Sequence, residues 1–257
     1  MCIRDRARYG ETVERILQAY NTYEFQTISH ALNNFLTVDM SAFYVDISKD
    51  RLYTYGAKSP ERRSVQTAIY LITNGITRML APLLPVTMDE LWKHLPGNRE
   101  DSVHLSDLPK DSKHLIDHAL LEEWSRLLSI RDAVNSEIEQ LRQLKTVGTS
   151  LEARVELRAM GETAHLLKNH QDDLPMLFIA SDVELIIDQG SSPRASTSAE
   201  GSTWNETDGS LAIRVERVGG VKCPRCWRYV KSLSSDSTIG DLCPRCLDAL
   251  SERVIAN

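Results

Sequence analysis

The sequence predicts a mainly α-helical chain in which a helical bundle and a long connecting helix precede a small α/β module and a four-cysteine ribbon. Apolar residues recur three and four positions apart through most of residues 9–145, which is the period of an amphipathic helix. Apolar and polar residues alternate over 151–158, as they do in a half-buried strand. Two Cys-x-x-Cys pairs follow near the end of the chain. These three observations set the order of the predicted units.

Residues 7–112 are predicted to form a bundle of about five helices, since helix is the only period that this part of the sequence supports. The second helix covers about 24–36, and Asp39 is expected to cap the third. Ser59–Pro60 predicts the start of the fourth helix, because a capping hydroxyl followed by proline favours a helix start. Thr87–Glu90 has the pattern of a capping box and predicts the start of the fifth.

The first residues of the chain, Met1–Arg6, join no periodic pattern. The first predicted helix also has no visible N-cap. We therefore expect these six residues not to be authentic and the chain to start within a longer protein. No role is assigned to Cys2.

A long connecting helix is predicted for the segment 113–147, with the helix itself running from about Lys113 to Lys145 and ending at Gly148. A helix of about 33 residues is roughly 50 Å long. Its apolar residues repeat every seven positions, but Arg131 and Lys145 interrupt this seam. The pattern therefore favours packing against an antiparallel neighbour over a coiled-coil dimer. The residues of this stripe are Leu120, Trp124, Leu127, Val134, Ile138 and Leu141.

A small α/β module is predicted over 148–190 from a strand–helix–strand–strand pattern. Its strands are expected at 151–158, 176–180 and 183–188, with a short helix at about 162–174.

The segment 191–208 is rich in Ser and Thr and poor in large apolar residues, so it is predicted to be a flexible linker. The remaining residues, 209–257, are predicted to form the ribbon, with a strand at 211–218 leading into it.

The two Cys-x-x-Cys pairs are separated by sixteen residues. Each pair brings two thiolates close enough to share one ion, and two pairs complete the tetrahedral cage of structural zinc. A redox dithiol needs only one pair, and disulfides need an export signal that the sequence lacks, although both remain alternatives. The predicted ligands of one structural Zn²⁺ are Cys223, Cys226, Cys243 and Cys246.

Cationic and aromatic residues alternate around the first cysteine pair. Cations suit phosphates and aromatic faces suit unstacked bases, so the pattern is typical of single-stranded RNA binding. The alternative is that Trp227 and Tyr229 form the ribbon's own small core. The residues of the predicted RNA surface are Lys222, Arg225, Trp227, Arg228 and Tyr229.

The composition, with a formal net charge of −6 and 42% hydrophobic residues, is that of an ordinary globular protein and excludes a generally basic nucleic-acid coat. No apolar run approaches the ~18 residues of a membrane span, so no membrane partner is expected. Cysteines committed to a metal fit a reducing compartment, and we expect a cytoplasmic monomer.

Short motifs along nearly the whole chain after residue 7 carry a resemblance to a known family. They are Tyr23–Phe25, His30–Phe35, Asp39–Asp46, Lys49–Tyr53, Ser59–Arg63, Leu80–Pro85, Glu90–Trp92, Val147–Ala153 and Cys223–Tyr229. With them the chain resembles the C-terminal part of a bacterial-type isoleucyl-tRNA synthetase. The Ala-Pro-x-x-Pro motif is shared with related class I synthetases, whereas the aromatic–acid run and the terminal ribbon together are specific to the isoleucine enzyme.

The resemblance implies that the helical bundle binds the anticodon stem and loop of the isoleucine tRNA and that the ribbon closes over the anticodon side. Arg225 would then contact a phosphate or base edge, and Trp227 would stack. The full enzyme activates isoleucine with ATP and esterifies it to tRNA. The two nucleotide-binding signatures of the family are absent here, so we expect no catalytic residues and no activity in this chain, with ATP bound only by the missing core.

Two other functions share some of these features. The same cysteine spacing occurs in the zinc finger of formamidopyrimidine-type DNA glycosylases, but the Pro-Glu start that carries their catalytic amine has no match here. The chain could also be a non-catalytic interaction scaffold whose ribbon only caps the bundle.

Overall fold

The computed structural model describes residues 2–110, 112–188, 204–206, 209–236 and 240–254. The chain divides into two compact units. The first comprises Met1–Leu52 and Ala57–Glu122, and the second comprises Tyr53–Gly56 and Glu123–Asn257.

The first unit is helical throughout its regular structure, as the sequence periodicity predicts. A π-helical segment, Phe35–Val45, joins the second helix to the third without a break. The α-helices are α1 (Cys2–Asn21), α2 (Phe25–Asn34), α3 (Asp46–Thr54), α4 (Pro60–Leu80) and α5 (Pro85–His94).

The core of this unit forms where α1 packs against α2 and α4. Ile16, Ile28 and Ile72 supply one fully buried side chain each from the three helices. The Tyr20 hydroxyl donates to the Met79 carbonyl at 2.7 Å, which ties the end of α1 to α4. Helical apolar stripes predicted from the sequence therefore meet at one core.

Residues 2–6 belong to α1, so the first helix begins before residue 7, which is the predicted start of the bundle. The side chains of Arg4 and Asp5 are buried and form an ion pair at 2.8 Å.

Asp39 does not cap a helix, because the chain is continuously helical from α2 to α3. Its carboxylate is buried and accepts from Arg4 at 2.8 Å and from Arg8 at 3.2 Å. A buried carboxylate needs such cationic partners, and pairing with α1 satisfies this one inside the π-helical segment.

The two other predicted helix starts have different outcomes. The hydroxyl of Ser59 accepts the Arg62 backbone N–H at 3.2 Å, so the predicted cap of α4 is confirmed. The predicted capping box at Thr87–Glu90 is wrong, since α5 already begins at Pro85, whose fixed φ suits the first helical turn.

The long connecting helix is shorter than predicted at both ends. Residues Lys113–Leu115 form a 3₁₀ turn, and α6 (His118–Gln143) starts after Asp117, whose carboxylate accepts the Leu120 N–H at 3.0 Å. It ends before Gly148, because Lys145 already adopts the left-handed conformation with φ of 59°. The predicted apolar stripe is largely confirmed: the buried members are Trp124, Leu127, Val134 and Ile138.

The α/β module contains a four-stranded sheet in the order β2-β1-β4-β3. Its strands are β1 (Ala153–Ala159), β2 (Asp182–Ile187), β3 (Asn205–Glu206) and β4 (Leu211–Arg217), with α7 (Gly161–Asn169) and α8 (Leu174–Leu177) between β1 and β2. β1 pairs with β2 in parallel and with β4 in antiparallel orientation. One face of β1 is apolar and fully buried, as its alternating sequence predicts.

The predicted strand at 176–180 is wrong. Leu174, Leu177 and Phe178 are all buried at helical spacing, and Pro175 at the start of α8 fixes φ in the helical range. A short apolar run does not by itself distinguish a buried strand from a buried helical turn.

The sequence predicts strand β4 to be part of the ribbon, which is wrong, because β4 pairs along its whole length with β1 and is an inner strand of the sheet. Trp204 also lies against the sheet, with the guanidinium groups of Arg158 and Arg214 at 4.6 and 5.1 Å from its ring centroid. Residues 204–206 of the predicted linker 191–208 therefore belong to the α/β module. The remaining residues of the predicted linker lie outside the described ones.

The ribbon is built from very short elements: β5 (Val221–Lys222), β6 (Tyr229–Val230), β7 (Ser234–Asp236), β8 (Gly240–Leu242) and α9 (Pro244–Val254). β5 pairs with β6 and β7 with β8, each in antiparallel orientation. Gly220 precedes the first hairpin with φ of 102°, and a Cβ at this position would lie 2.3 Å from the Val230 carbonyl oxygen. Only glycine fits this approach.

Replacement of Gly75 by alanine should destabilise the first unit. A Cβ at Gly75 would lie 1.6 Å from the hydroxyl oxygen of Tyr9, which is buried with its pKa raised by burial to about 12. Overpacking of this kind costs about 2 kcal/mol. We expect Gly75→Ala to lower the urea midpoint of the helical circular-dichroism transition.

Gly148→Ala is the matched control, since its Cβ would meet only the Glu152 carboxylate at an ordinary 3.5 Å. Adding Tyr9→Phe to Gly75→Ala should recover part of the loss. Equal midpoints for Gly75→Ala and Gly148→Ala would contradict the close contact.

Candidate metal centre and nucleic-acid surface

Two backbone turns place the cysteines. In the first, the Trp227 N–H donates to the Cys223 carbonyl at 2.9 Å, and the Cys223 N–H donates to the Arg228 carbonyl at 2.9 Å. In the second, the Cys246 N–H donates to the Cys243 carbonyl at 2.9 Å, at the start of α9. Each turn directs its two sulfur atoms to the same side.

The four sulfur atoms meet in one buried cluster. All lie within 4.8 Å of one another, and the Sγ atoms of Cys226 and Cys243 are 3.7 Å apart. Four sulfurs at about 2.3 Å from a tetrahedral ion are separated by roughly 3.8 Å, so the cluster fits a four-coordinate zinc. The same separation is well beyond the ~2.05 Å of a disulfide bond, and all four cysteines are free. The donor set is therefore complete for a closed, structural site.

The charge state of the cluster depends on what surrounds each thiol. Burial opposes ionisation of Cys223, but hydrogen bonds from the backbone N–H groups of Cys226, Cys243 and Arg225 outweigh it and lower the pKa of Cys223 to about 6. Burial raises the pKa of Cys243 and of Cys246, the latter against a hydrogen bond from Arg225. A bound Zn²⁺ would supply the charge that keeps all four thiols deprotonated.

The four cysteines also take the place of a hydrophobic core. Leu242 is buried among them, and partly buried apolar side chains surround the group. These are Val230, Leu233, Leu247 and Leu250. Strands of two or three residues have too little apolar surface to be stable alone, so the metal cluster is the centre of the ribbon.

Trp227 lies on the surface of the ribbon. Its side chain is 63% exposed and its backbone is left-handed, with φ of 64°. The alternative that Trp227 belongs to the ribbon's core is therefore wrong. The ammonium of Lys222 lies over the ring of Trp227, 5.9 Å from its centre, which is a cation–π arrangement.

Tyr229 is half-buried and pairs with Lys222 across the β5–β6 hairpin. Its backbone N–H donates to the Ser181 hydroxyl at 2.8 Å, and that hydroxyl donates to the Leu151 carbonyl at 2.6 Å. The hairpin is thus attached to the α/β module through one serine. Arg228 is half-buried beside it.

Arg225 makes contacts within the protein. Its Nη1 donates to the carbonyl of Thr54 at 2.6 Å and to the sulfur of Cys246 at 3.4 Å. The corresponding arginine of the second turn, Arg245, lies with its guanidinium carbon 5.2 Å from the ring centre of Tyr55. Arg245 is not among the site residues that the sequence predicts, although the repeated Cys-Pro-Arg-Cys turn is a signal that points to it.

Two family models match the chain. Residues 6–157 match the anticodon-binding domain of tRNA ligase, and residues 220–249 match the zinc finger found in FPG and IleRS. The chain belongs to the family of anticodon-binding domains of tRNA ligases. The family accounts for the helical first unit, and the zinc-finger match supports structural zinc at the four-cysteine cluster.

Curated relatives extend the similarity to nearly the whole chain. The isoleucine–tRNA ligase of Syntrophotalea carbinolica is 42% identical over 248 residues, which are 96% of this chain and 26% of that protein. Those of Symbiobacterium thermophilum and Geobacter sulfurreducens are 40% and 38% identical, over 93% and 92% of this chain and 25% of each relative. The chain thus spans about a quarter of the length of these relatives.

The family membership decides against the DNA-glycosylase reading, since the anticodon-binding domain precedes the zinc finger in the same chain. None of the helices in the described part of the chain combines the length and apolar character that crossing a membrane requires.

Replacement of one cysteine tests whether the metal centre is confined to the ribbon. Cys223→Ser removes one of four ligands, so we expect loss of stoichiometric zinc and of the ribbon's fold. The helices of the first unit have their own core and should keep their circular-dichroism signal. Zinc is measured by atomic absorption after gel filtration.

Cys2→Ser is the control, because it alters the one cysteine to which the sequence assigns no role. Zinc loss in this control, or collapse of the helical signal in Cys223→Ser, would contradict an independent metal centre.

Proposed function

We propose that the chain is the tRNA-recognition part of an isoleucine–tRNA ligase, which attaches isoleucine to its tRNA in an ATP-dependent reaction. The observation that carries this is the succession, in one chain, of an anticodon-binding domain and a zinc finger of the IleRS type. The names of the relatives, which align over nearly the whole chain, support isoleucine as the amino acid.

Amino-acid activation and ATP binding are assigned to the part of such a ligase that lies outside this chain. No residue of the chain is proposed to be catalytic. We further propose that the protein works as a cytoplasmic monomer. The bundle would correspond to 7–112, the connecting helix to 113–147, and the α/β module to 148–190 together with β4.

The proposed ligands of a single structural Zn²⁺ are Cys223, Cys226, Cys243 and Cys246. Burial of the four sulfurs and their separations support this assignment. A zinc ion with four thiolates has no open position, so it would shape the ribbon and take no part in a reaction.

The proposed RNA surface lies on the outer side of the first cysteine turn. Trp227 offers an exposed ring on which an unpaired base can stack, and Lys222 beside it offers a cation for the adjoining phosphate. Tyr229 and Arg228 lie next to this pair on the same hairpin. Arg225 is retained as a candidate RNA contact, although its Nη1 already binds Thr54 and Cys246.

The left-handed backbone of Trp227 supports a binding role. A bulky residue rarely adopts this conformation, and it persists here because the Trp227 N–H is held by the Cys223 carbonyl. Strained positions of this kind are common where a side chain must be presented to a ligand. The turn that holds the metal therefore also directs the indole outwards.

Titration with RNA tests the proposal. The zinc-loaded chain should bind the isoleucine tRNA more tightly than the same tRNA with a changed anticodon, and more tightly than a duplex DNA carrying a damaged base. The apparent affinity should fall as salt rises, since phosphate contacts release counterions. Fluorescence anisotropy at two salt concentrations measures both effects. Absence of tRNA binding at moderate salt, with zinc still present, would favour the interaction scaffold.

Substitution of Trp227 tests the stacking surface. Trp227→Ala should weaken tRNA binding by roughly 5- to 150-fold, since stacking on an aromatic side chain contributes about 1–3 kcal/mol per base. Trp227→Phe should retain most of the affinity because it keeps an aromatic face. Both variants should keep one zinc per chain.

Leu144→Ala is the matched control, because Leu144 is also an exposed apolar side chain of the second unit but lies at the end of α6. Equal affinity of Trp227→Ala and the unaltered chain would remove Trp227 from the RNA surface.

A further inference from the structure

The two Cys-Pro-Arg-Cys turns of the ribbon carry an arginine at the same place, and both arginines contact one short segment. This segment, Tyr53–Gly56, belongs to the second unit. Arg225 donates to the Thr54 carbonyl at 2.6 Å, and the guanidinium of Arg245 lies over the ring of Tyr55 at 5.2 Å. Two consecutive residues of the segment are thus held by the two halves of the metal site.

The contact of Arg225 satisfies a helix end. Thr54 is the last residue of α3, and the final carbonyls of an α-helix have no N–H donor within the helix. A cationic side chain is favourable there because the partial charge at a helix C-terminus is negative. Arg225 therefore acts as a C-terminal cap of α3, although it lies far from that helix in the sequence.

The same guanidinium group also contacts one sulfur of the four-cysteine cluster. Its Nη1 lies 3.4 Å from the sulfur of Cys246, within the range of a charge-assisted hydrogen bond to a thiolate. A zinc ion with four thiolates carries a net charge of −2, which one arginine on each turn offsets. Second-shell groups of this kind orient the ligands that they contact.

We propose that Arg225 and Arg245 are positioning residues that couple zinc binding to the conformation of Tyr53–Gly56, so that filling the four-cysteine site orders this segment. The proposal rests on the zinc site of the proposed function, but it does not depend on RNA binding. Without the metal the four sulfurs are no longer held at one point, and the contact between Arg225 and the Cys246 sulfur loses its fixed geometry. The cap on Thr54 then loses one of the two contacts that fix its position.

The coupling gives Arg225 a role that differs from a direct RNA contact. A positioning arginine affects the segment when no RNA is present. A residue that only touches a phosphate leaves the segment unchanged in the free protein. The two roles therefore separate in experiments on the chain alone.

Hydrogen exchange followed by mass spectrometry tests the coupling on the full chain without RNA. Removal of zinc by a chelator should accelerate exchange in a peptide covering residues 53–57 by roughly tenfold, the effect of losing one hydrogen bond to a charged group. Arg225→Lys should accelerate exchange in the zinc-loaded protein to a similar degree, since an ammonium is a single point charge and does not reproduce the geometry of the guanidinium fork. Zinc content is measured in the same samples.

Tyr55→Leu provides a second variant that leaves the metal ligands and both arginines in place. It removes the ring beneath Arg245 and should also accelerate exchange at 53–57 while retaining zinc. Lys231→Gln is the control, because Lys231 is an exposed cation of the ribbon outside both cysteine turns. Its exchange should match that of the unaltered chain.

The outcomes separate this proposal from the proposed function. Unchanged exchange at 53–57 on zinc removal, or in both Arg225→Lys and Tyr55→Leu, would overturn the coupling even if tRNA binds. Accelerated exchange in a chain that binds no tRNA would support the coupling and reject RNA recognition. A chain that takes up no zinc would overturn both the metal site and the coupling.

Discussion

The convergence of four cysteine sulfurs on one point is the constraint on which the ribbon depends. Its strands have two or three residues each, and the apolar side chains around the cluster are only partly buried. Such a segment does not bury enough apolar surface to offset the entropy of ordering its chain. A metal that binds the folded ribbon and not the unfolded chain supplies the missing free energy. The first unit needs no such device, since its helices bury large apolar side chains against one another.

The metal site also determines what the ribbon presents to its surroundings. Closing a tight turn around Cys223 and Cys226 places the following residue in the left-handed region, where its side chain points away from the cluster. The turn that holds a ligand pair therefore exposes an indole next to a lysine. The exposure of the indole is thus a consequence of the backbone geometry of the turn.

Sequence reasoning succeeded where a pattern is local. The cysteine spacing implied the cluster, helical periodicity implied the first unit, and Ser59–Pro60 implied the start of α4. It failed where the structure of a segment depends on residues far away in the sequence. Asp39 resembles a helix cap but pairs with Arg4 and Arg8. The strand at 211–217 precedes the ribbon in sequence but pairs with β1. The turn at 174–178 failed for another reason, since a short apolar run suits either a strand or a helix. The contact of Arg245 with Tyr55 could not be predicted, because the sequence around a Cys-x-x-Cys turn does not show which distant residue a cation beside it will contact.

The order of strands in the α/β module has a consequence for how the chain can be divided. An inner strand of its sheet, β4, lies in sequence only a few residues before the ribbon. A truncation that ends near residue 190 would remove the ribbon and also leave β1 with an unpaired edge, so that exposed backbone groups could recruit other chains. Such a fragment would report on aggregation more than on loss of the metal. A boundary after Arg217 keeps the sheet intact, and it is also the point at which one ribbon could be exchanged for another without disturbing the module.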